Sequence, residues 1–169
     1  EATFQLATEG WTTFRGRCLP YGDGITYWPI AEIIREMAAI SPEASVDETR
    51  TRLAAVSPDQ DVADRLAQTI GIAETSDGPG AVAGGDKEIA WGFRRLVEHH
   101  ISQRGPVVLV FEDIHWAEPG LLDLIEYLVT WTRDAPLLVV CSSRPELLDS
   151  RPAWGSGLME ASRIHLEPL

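Results

Sequence analysis

The sequence predicts an α/β domain with a mostly parallel sheet, and its two most regular apolar segments carry this prediction. Val107–Phe111 and Pro136–Cys141 are apolar at every position. Strands that are apolar on both faces are typical of parallel sheets covered by helices. A leucine-rich segment with helical spacing begins at Pro119 and separates the two runs. Strand, helix and strand at this spacing form a right-handed crossover unit.

The N-terminal part begins with one strand and one helix. Thr12–Cys18 is rich in β-forming residues and runs into a turn, so we expect a strand here. Pro29 suits the first turn of a helix. The residues that follow it place their apolar side chains on one helical face, namely Ile30, Ile33, Ile34 and Met37.

A helical insertion is expected over about 29–73. Within it, Asp47–Val56 and Asp61–Ile70 each have the length and composition of a short helix. Asp59 and Asp61 are both suitable caps for the second of these helices. The insertion therefore separates the first strand from the crossover unit.

A flexible loop is expected over about 74–85, because glycines are concentrated there. A long helix then runs from Asp86 to about Gln103, and Gly105 ends it. Near the C-terminal end, Ile164–Leu166 is predicted as a short strand at the edge of the sheet.

The composition excludes several classes of function. The formal net charge is −12, which argues against binding to nucleic acid phosphates because such binding needs a basic patch. No apolar run approaches the roughly 20 residues of a membrane span. The two cysteines, Cys18 and Cys141, are too few for a disulfide framework, so we expect a reduced, cytoplasmic protein.

Two acids follow the first apolar run. Glu112 and Asp113 stand where the predicted strand ends, and open α/β sheets bind their ligands at the carboxyl ends of their strands. In nucleoside triphosphatases one such acid holds Mg²⁺ and the next polarises the attacking water. These acids are therefore candidate metal-binding and catalytic residues. The alternative for the acid pair alone is that it ends a strand and enters a loop.

Polar residues also follow the second apolar run. Ser143 and Arg144 come directly before Pro145, and a small polar residue and an arginine on a neighbouring strand can face the same crevice. The arginine would pair with a terminal phosphate, so both residues are candidate ATP-binding residues. The alternative is a surface arginine in front of a turn-forming proline.

Four segments resemble the ATPase domain of the STAND class of signalling NTPases, which are AAA+-like P-loop proteins. The residues that carry the resemblance are Glu112–Glu118 followed by Ser143–Leu147, together with Arg15–Ile30 and Ala90–Leu96. They are similar in particular to the version found in large bacterial regulators. Some of these regulators carry an adenylate or guanylate cyclase domain, and others end in a LuxR-type helix-turn-helix.

The resemblance implies a role for each matching residue. Glu112 matches the Walker B magnesium position, Asp113 the following acid, and Arg144 the sensor arginine on the neighbouring strand. His115 and Trp116 match a signature dipeptide, for which packing of the loop against the sheet is the favoured role. The implied cofactors of the parent protein are ATP and Mg²⁺.

The sequence departs from this family at the phosphate-binding loop. No G-x-x-x-x-G-K-[ST] element occurs, and the single lysine, Lys87, lies outside any such spacing. We expect this loop and the first strand to lie before Glu1, although a degenerate relative is the other account. The expected fold is then an incomplete three-layer P-loop NTPase-like core over 1–169. Such a chain would bind ATP weakly or not at all, and we expect it to hide its exposed sheet seam by self-association or by rearrangement.

Two other chemistries receive little support from the sequence. His99 and His100 are neighbours on a helix and point to different faces, so a zinc site with the distant cysteines is not expected. A catalytic triad of Ser142, His115 and Asp113 lacks the G-x-S-x-G turn that positions a serine nucleophile.

The leading hypothesis is a fragment of an ATP-dependent switch module of a multidomain bacterial regulator, with the other domains of the same polypeptide as its partners. The runner-up is a nucleotide-independent interaction module with a degenerate NTPase fold.

Overall fold

The computed structural model describes residues 10–20, 26–72, 85–132, 134–158 and 160–166. The loop expected over 74–85 lies outside the described residues, except for Gly85. The elements in chain order are β1 (Thr12–Arg17), α1 (Trp28–Met37), α2 (Val46–Val56), α3 (Gln60–Thr69), α4 (Asp86–Arg104), β2 (Val107–Glu112), a 3₁₀ turn (Ile114–Trp116), α5 (Pro119–Trp131), β3 (Leu137–Cys141) and α6 (Glu146–Ser150).

The three strands form one parallel sheet in the order β1-β2-β3. Thr12 pairs with Val107, and Val107 pairs with Leu137. The central strand β2 is buried on both faces from Val107 to Phe111, as its unbroken apolar run predicts. The α/β fold class with a parallel sheet is therefore confirmed, and it is consistent with a partial P-loop NTPase-like core.

The long helices α4 and α5 cover one face of the sheet. Both crossover connections step across the sheet in the same direction, so right-handed crossovers place both helices on the same side. The His100 ring of α4 packs edge-on against Phe14 of β1, with 5.1 Å between the ring centroids. Arg94 joins the two helices, because its guanidinium lies 5.9 Å from the centroid of the Tyr127 ring and donates to the Trp131 carbonyl.

The helix boundaries follow local sequence signals. The Ser45 side chain accepts a hydrogen bond from the Glu48 N–H and begins α2, and Asp59 accepts one from the Val62 N–H and begins α3. Of the two aspartates suited to cap α3, Asp59 is therefore the cap and Asp61 lies inside the helix. Gly105 ends α4 with a φ of 98°, a conformation that favours glycine.

The outer edge of β1 is covered by α1. Glu36 accepts a hydrogen bond from the Arg15 N–H at 3.2 Å, and Glu32 accepts one from the Arg17 N–H at 2.8 Å. The helix lies very close to the strand at Gly16, where a Cβ atom would stand 2.3 Å from the Pro29 carbonyl oxygen. Only a residue without a side chain fits this contact.

The opposite outer strand, β3, is covered less well than its sequence predicts. Leu138 is 39% exposed and Val140 is 41% exposed, so the expectation that this strand is buried on both faces is wrong. The two side chains share the sheet face opposite α4 and α5. This second face is open at β3 among the described residues, whereas Val108 and Val110 on the same face of β2 are buried.

The prediction of a strand at Ile164–Leu166 is also wrong. These residues have no regular secondary structure, and Ile164 and Leu166 are 82% and 85% exposed. A strand this short is stable only when it pairs with a neighbour in a larger sheet. Residues 164–166 pair with no strand in the described part of the chain.

Within the described ranges, no helix combines the length and the apolar character that crossing a membrane requires.

Candidate functional site

The candidate site lies where the carboxyl ends of the three parallel strands meet at one edge of the sheet. Arg17 is the last residue of β1, Glu112 is the last residue of β2, and Ser142 follows β3. Arg17 and Glu112 are partners in the register of β1 and β2. The fold therefore brings the predicted acids beside an arginine from a distant part of the sequence.

The backbone at Asp113 turns sharply out of the sheet. Its φ of 58° and ψ of 38° are left-handed, a conformation that aspartate tolerates better than most residues. Its N–H donates to the Ser142 hydroxyl at 3.2 Å, and the Ile114 N–H donates to the Ser142 carbonyl at 3.0 Å. Ile114 itself is fully buried. These contacts fix the loop after β2 to the end of β3.

The Asp113 carboxylate is held by Arg17. The Arg17 Nε atom donates to Asp113 Oδ2 at 2.9 Å. Both side chains are partly exposed, so the pair contributes little to stability, but it sets the orientation of the carboxylate. Sequence reasoning missed Arg17 as a site residue. Its place at the end of a strand beside the acid-bearing strand is the only signal that pointed to it.

The backbone of Glu112 is held by a hydrogen bond, whereas its carboxylate has no partner among the described residues. Its carbonyl accepts a hydrogen bond from the Cys18 N–H at 2.9 Å. Its half-buried side chain makes no hydrogen bond or ion pair with any described residue. A free carboxylate at this position suits Mg²⁺, which binds through one or two carboxylates and fills its remaining positions with water and phosphate oxygens.

The described residues alone do not form a complete metal site. No group of three or more His, Cys, Asp or Glu side chains within the described ranges is arranged to hold a metal ion. Glu112 and Asp113 therefore suit only a magnesium ion that takes most of its ligands from phosphate and water.

Ser143 and Arg144 lie just beyond β3, and both are exposed. The Ser143 hydroxyl donates to the Arg144 carbonyl at 2.8 Å. The Arg144 guanidinium makes no hydrogen bond or ion pair with the described part of the chain. Arg144 is thus on the strand next to the acids, as the sequence predicts, but it does not contact them.

The two cysteines flank β2 and are not reactive thiols. Burial raises the pKa of Cys18 to about 12, with a further contribution from the negative charges of Asp113 and Glu32. Burial also raises the pKa of Cys141 to about 12. Since the thiolate is the nucleophile and the metal ligand, neither cysteine supports covalent or zinc chemistry at neutral pH.

The triad of Ser142, His115 and Asp113 is not assembled. Neither ring nitrogen of His115 has a hydrogen-bond partner among the described residues, although both are buried. The His115 ring lies beside Trp116, with 5.0 Å between the ring centroids. The Ser142 hydroxyl instead accepts the Asp113 N–H, so it supports the loop rather than a reaction.

Comparison with known families agrees with this geometry. Residues 1–140 match the family model of the AAA ATPase domain. That match covers most of the chain and includes β1, β2 and both acids. The comparisons with curated proteins and with solved structures give no significant match. Nucleotide and Mg²⁺ use is general in AAA ATPase domains, and this chain belongs to the AAA ATPase domain family.

Proposed function

We propose that the chain carries the magnesium-side half of an ATP-binding switch in a multidomain bacterial signalling regulator of the STAND class. The observation that carries the proposal is the pair of acids at the end of β2. Glu112 presents a carboxylate without a described partner, and Asp113 is oriented by Arg17. An open α/β sheet binds its ligand at this edge.

Each site residue has a distinct role in this proposal. Glu112 would hold Mg²⁺, directly or through water, and the bound ion would neutralise charge on the phosphates. Asp113 would orient and polarise a water molecule once Arg17 releases or shares its carboxylate. Arg144, with its free guanidinium, would pair with the terminal phosphate, and Ser143 would line the same crevice.

The phosphate-binding half would come from a strand and loop placed before Glu1 in the parent protein. The supporting observation is the outer edge of β3, which pairs with no strand among the described residues. A further strand paired with β3 would bring a phosphate-binding loop to the same edge as Glu112. Without that loop the 169-residue chain would bind ATP weakly, because backbone N–H groups and a lysine make most phosphate contacts.

The experiment compares this chain with a protein extended upstream to include the neighbouring strand, loop and helix. Calorimetry with Mg-ATP should show binding by the extended protein and much weaker binding or none by the shorter chain. In the extended protein, Glu112→Gln and Asp113→Asn should each lower ATP hydrolysis about 100-fold, as removal of positioned catalytic groups does. Glu43→Gln, at an exposed acid in the turn between α1 and α2, is the matched control. Unchanged hydrolysis in both site variants would show that the site assignment is wrong.

A nucleotide-independent interaction module is the second candidate. The observation that favours it is the lack of a G-x-x-x-x-G-K-[ST] element in the sequence. The coding sequence upstream of Glu1 separates the two candidates. Such an element within about 30 residues, the span of a strand, loop and helix, supports the switch. A domain that lacks it and ignores Mg-ATP supports the interaction module, whose partners are other domains of the same polypeptide.

A further inference from the structure

Ser142, the residue that follows β3, is bonded to the end of β2 through all three of its polar groups. Its backbone N–H donates to the Phe111 carbonyl at 2.9 Å, and its carbonyl accepts a hydrogen bond from the Ile114 N–H at 3.0 Å. Its hydroxyl accepts a hydrogen bond from the Asp113 N–H at 3.2 Å. One residue at the end of the neighbouring strand therefore holds the backbone before, at and after the second site acid.

The hydroxyl accepts a hydrogen bond that a regular sheet would give to the carbonyl. At the start of the pairing, the Val107 N–H donates to the Pro136 carbonyl at 3.0 Å. Because hydrogen bonds are evenly spaced along parallel strands, the same pattern continued to the end of β2 would have the Asp113 N–H donate to the Ser142 carbonyl. The Ile114 N–H takes that carbonyl instead, and the displaced Asp113 N–H donates to the hydroxyl. A hydroxyl at this position thus keeps both donors paired where the chain leaves the sheet.

The backbone turn at Asp113 depends on support of this kind. Its φ of 58° and ψ of 38° are left-handed, and this conformation is unfavourable for an L-residue because Cβ approaches the following carbonyl oxygen. A residue keeps such a conformation where the surrounding contacts favour it. Water can also accept from the Asp113 N–H, but water is not attached to β3 and so does not fix the turn.

The turn sets the direction of the Asp113 carboxylate. A change from a left-handed to a right-handed backbone would rotate the Cα–Cβ bond of Asp113 relative to β2 and move the carboxylate away from its place at the sheet edge. Arg17 holds the carboxylate itself, with 2.9 Å between Nε and Oδ2, whereas Ser142 holds the backbone. Asp113 is therefore fixed from both neighbouring strands.

We propose that Ser142 is a positioning residue for Asp113 in the hydrolysis of ATP. This role rests on the proposed function, in which Asp113 orients and polarises the attacking water, whereas the hold on the turn is independent of nucleotide. Misplacement of a reacting group by about 1 Å is enough to slow a reaction strongly. Because the hydroxyl acts through the acid and not on the nucleotide, its loss should lower turnover and leave the affinity for ATP unchanged.

Hydrogen exchange of the Asp113 amide in this chain tests the hold on the turn without nucleotide. Ser142→Ala removes the hydroxyl and leaves the two backbone hydrogen bonds of residue 142 in place. We expect the Asp113 amide to exchange about tenfold faster, which corresponds to the loss of one hydrogen bond. Ser102→Ala, which removes an exposed hydroxyl near the end of α4, should leave this rate unchanged. Equal exchange rates in the unmodified chain and in Ser142→Ala would overturn the proposal.

Hydrolysis of Mg-ATP by the protein extended upstream tests the role in the reaction. Ser142→Ala should lower kcat about tenfold and change KM less than about twofold, because partners that orient a metal-site carboxylate have effects of this size. Ser142→Thr, which keeps a hydroxyl at an exposed position, should retain most of kcat, and Ser102→Ala should retain all of it. When Asp113→Asn is already present, Ser142→Ala should cause little further loss, since the hydroxyl acts through the carboxylate.

The kinetic outcomes separate this role from the proposed function. A higher KM with an unchanged kcat in Ser142→Ala would mean that the hydroxyl contacts the nucleotide, which overturns the proposal. Fully additive losses in the double variant would overturn it too. If Asp113→Asn slows hydrolysis and Ser142→Ala does not, the role of Ser142 fails and the proposed function stands. If Asp113→Asn itself leaves hydrolysis unchanged, both fail, even where the amide exchange changes as expected.

Discussion

The two outer strands of the sheet differ in whether other described residues hydrogen-bond to their outer edges. On β1, the outward N–H groups of Arg15 and Arg17 donate to the carboxylates of Glu36 and Glu32 on α1. On β3, the outward groups of Val139 and Cys141 meet no described residue. Both strands are short, parallel to β2 and paired with it over their full length, so strand pairing alone does not explain the difference.

The closed edge is a product of local sequence. Glu32 and Glu36 are one helical turn apart, which matches the spacing of alternate N–H groups on a strand. Gly16 allows the helix to approach closely enough for both contacts. The described residues provide no corresponding cover for the outer edge of β3. The predictions below test this contrast, beginning with the largest effect.

Gly16→Ala should be the most damaging substitution. The new Cβ would lie 2.3 Å from the Pro29 carbonyl oxygen, so the backbone of α1 has to move away from β1. We expect a loss of about 3 kcal/mol in the free energy of unfolding, measured with urea. Gly157→Ala, which meets no atom within 4 Å, should change it by less than about 0.5 kcal/mol. Equal effects of the two variants would contradict the close approach.

Removal of both carboxylates should open the edge of β1. We expect Glu32→Ala plus Glu36→Ala to lower the free energy of unfolding by about 2 kcal/mol, since hydrogen bonds to charged groups are among the stronger ones. Glu32→Gln plus Glu36→Gln should cost less, because the amide oxygens still accept. If the alanine and glutamine variants have the same stability as Glu43→Ala, an exposed acid elsewhere, the carboxylates do not cover this edge.

The same substitution at two positions of the sheet should separate the covered strand from the open one. Val108→Thr places a hydroxyl in a fully buried site of β2 and should cost about 2 kcal/mol in urea unfolding. Val140→Thr on β3 should cost less than about 0.5 kcal/mol, because this side chain is already exposed. A Val140→Thr cost close to that of Val108→Thr would show that the second face of β3 is covered after all.

His100, on the sheet face that α4 covers, should make a smaller and pH-dependent contribution to the free energy of unfolding. Burial lowers the pKa of His100 below its usual 6.5, and the charges of Arg104 and His99 lower it further. The unfolded chain then binds this proton more readily than the folded chain, so stability falls as the pH drops below 6.5. His100→Phe should reduce this slope in thermal unfolding between pH 5 and pH 7, about the range over which histidine titrates. His165→Gln, at an exposed position, should leave the slope unchanged, and a slope unaffected by His100→Phe would contradict the assignment.

Sequence reasoning predicted the elements whose signal is local. The apolar run of β2, the end of α4 at Gly105 and the Asp59 cap each depend on residues close in sequence, and each was confirmed. The strand at Ile164–Leu166 failed because a strand depends on its neighbour, and apolar alternation does not show whether that neighbour is present. The burial of β3 failed for the same reason.

The candidate site shows the same division. Glu112 and Asp113 could be found from the end of an apolar strand, and Arg144 from the end of the next one. Arg17 could not, because its contact with Asp113 depends on the register between strands far apart in sequence. In the sequence alone, Glu32 and Glu36 are also indistinguishable from ordinary surface acids. Their role follows only from the position of α1 at the edge of β1.

Amide hydrogen exchange at the two edges of the sheet tests the central contrast most directly. The account predicts that the Arg15 and Arg17 amides are protected, because the Glu36 and Glu32 carboxylates accept their hydrogen bonds. The Val139 and Cys141 amides should exchange rapidly, because no described residue accepts from them. Protection of Val139 and Cys141 equal to that of Arg17 would contradict the account, since it would mean that the outer edge of β3 is already closed.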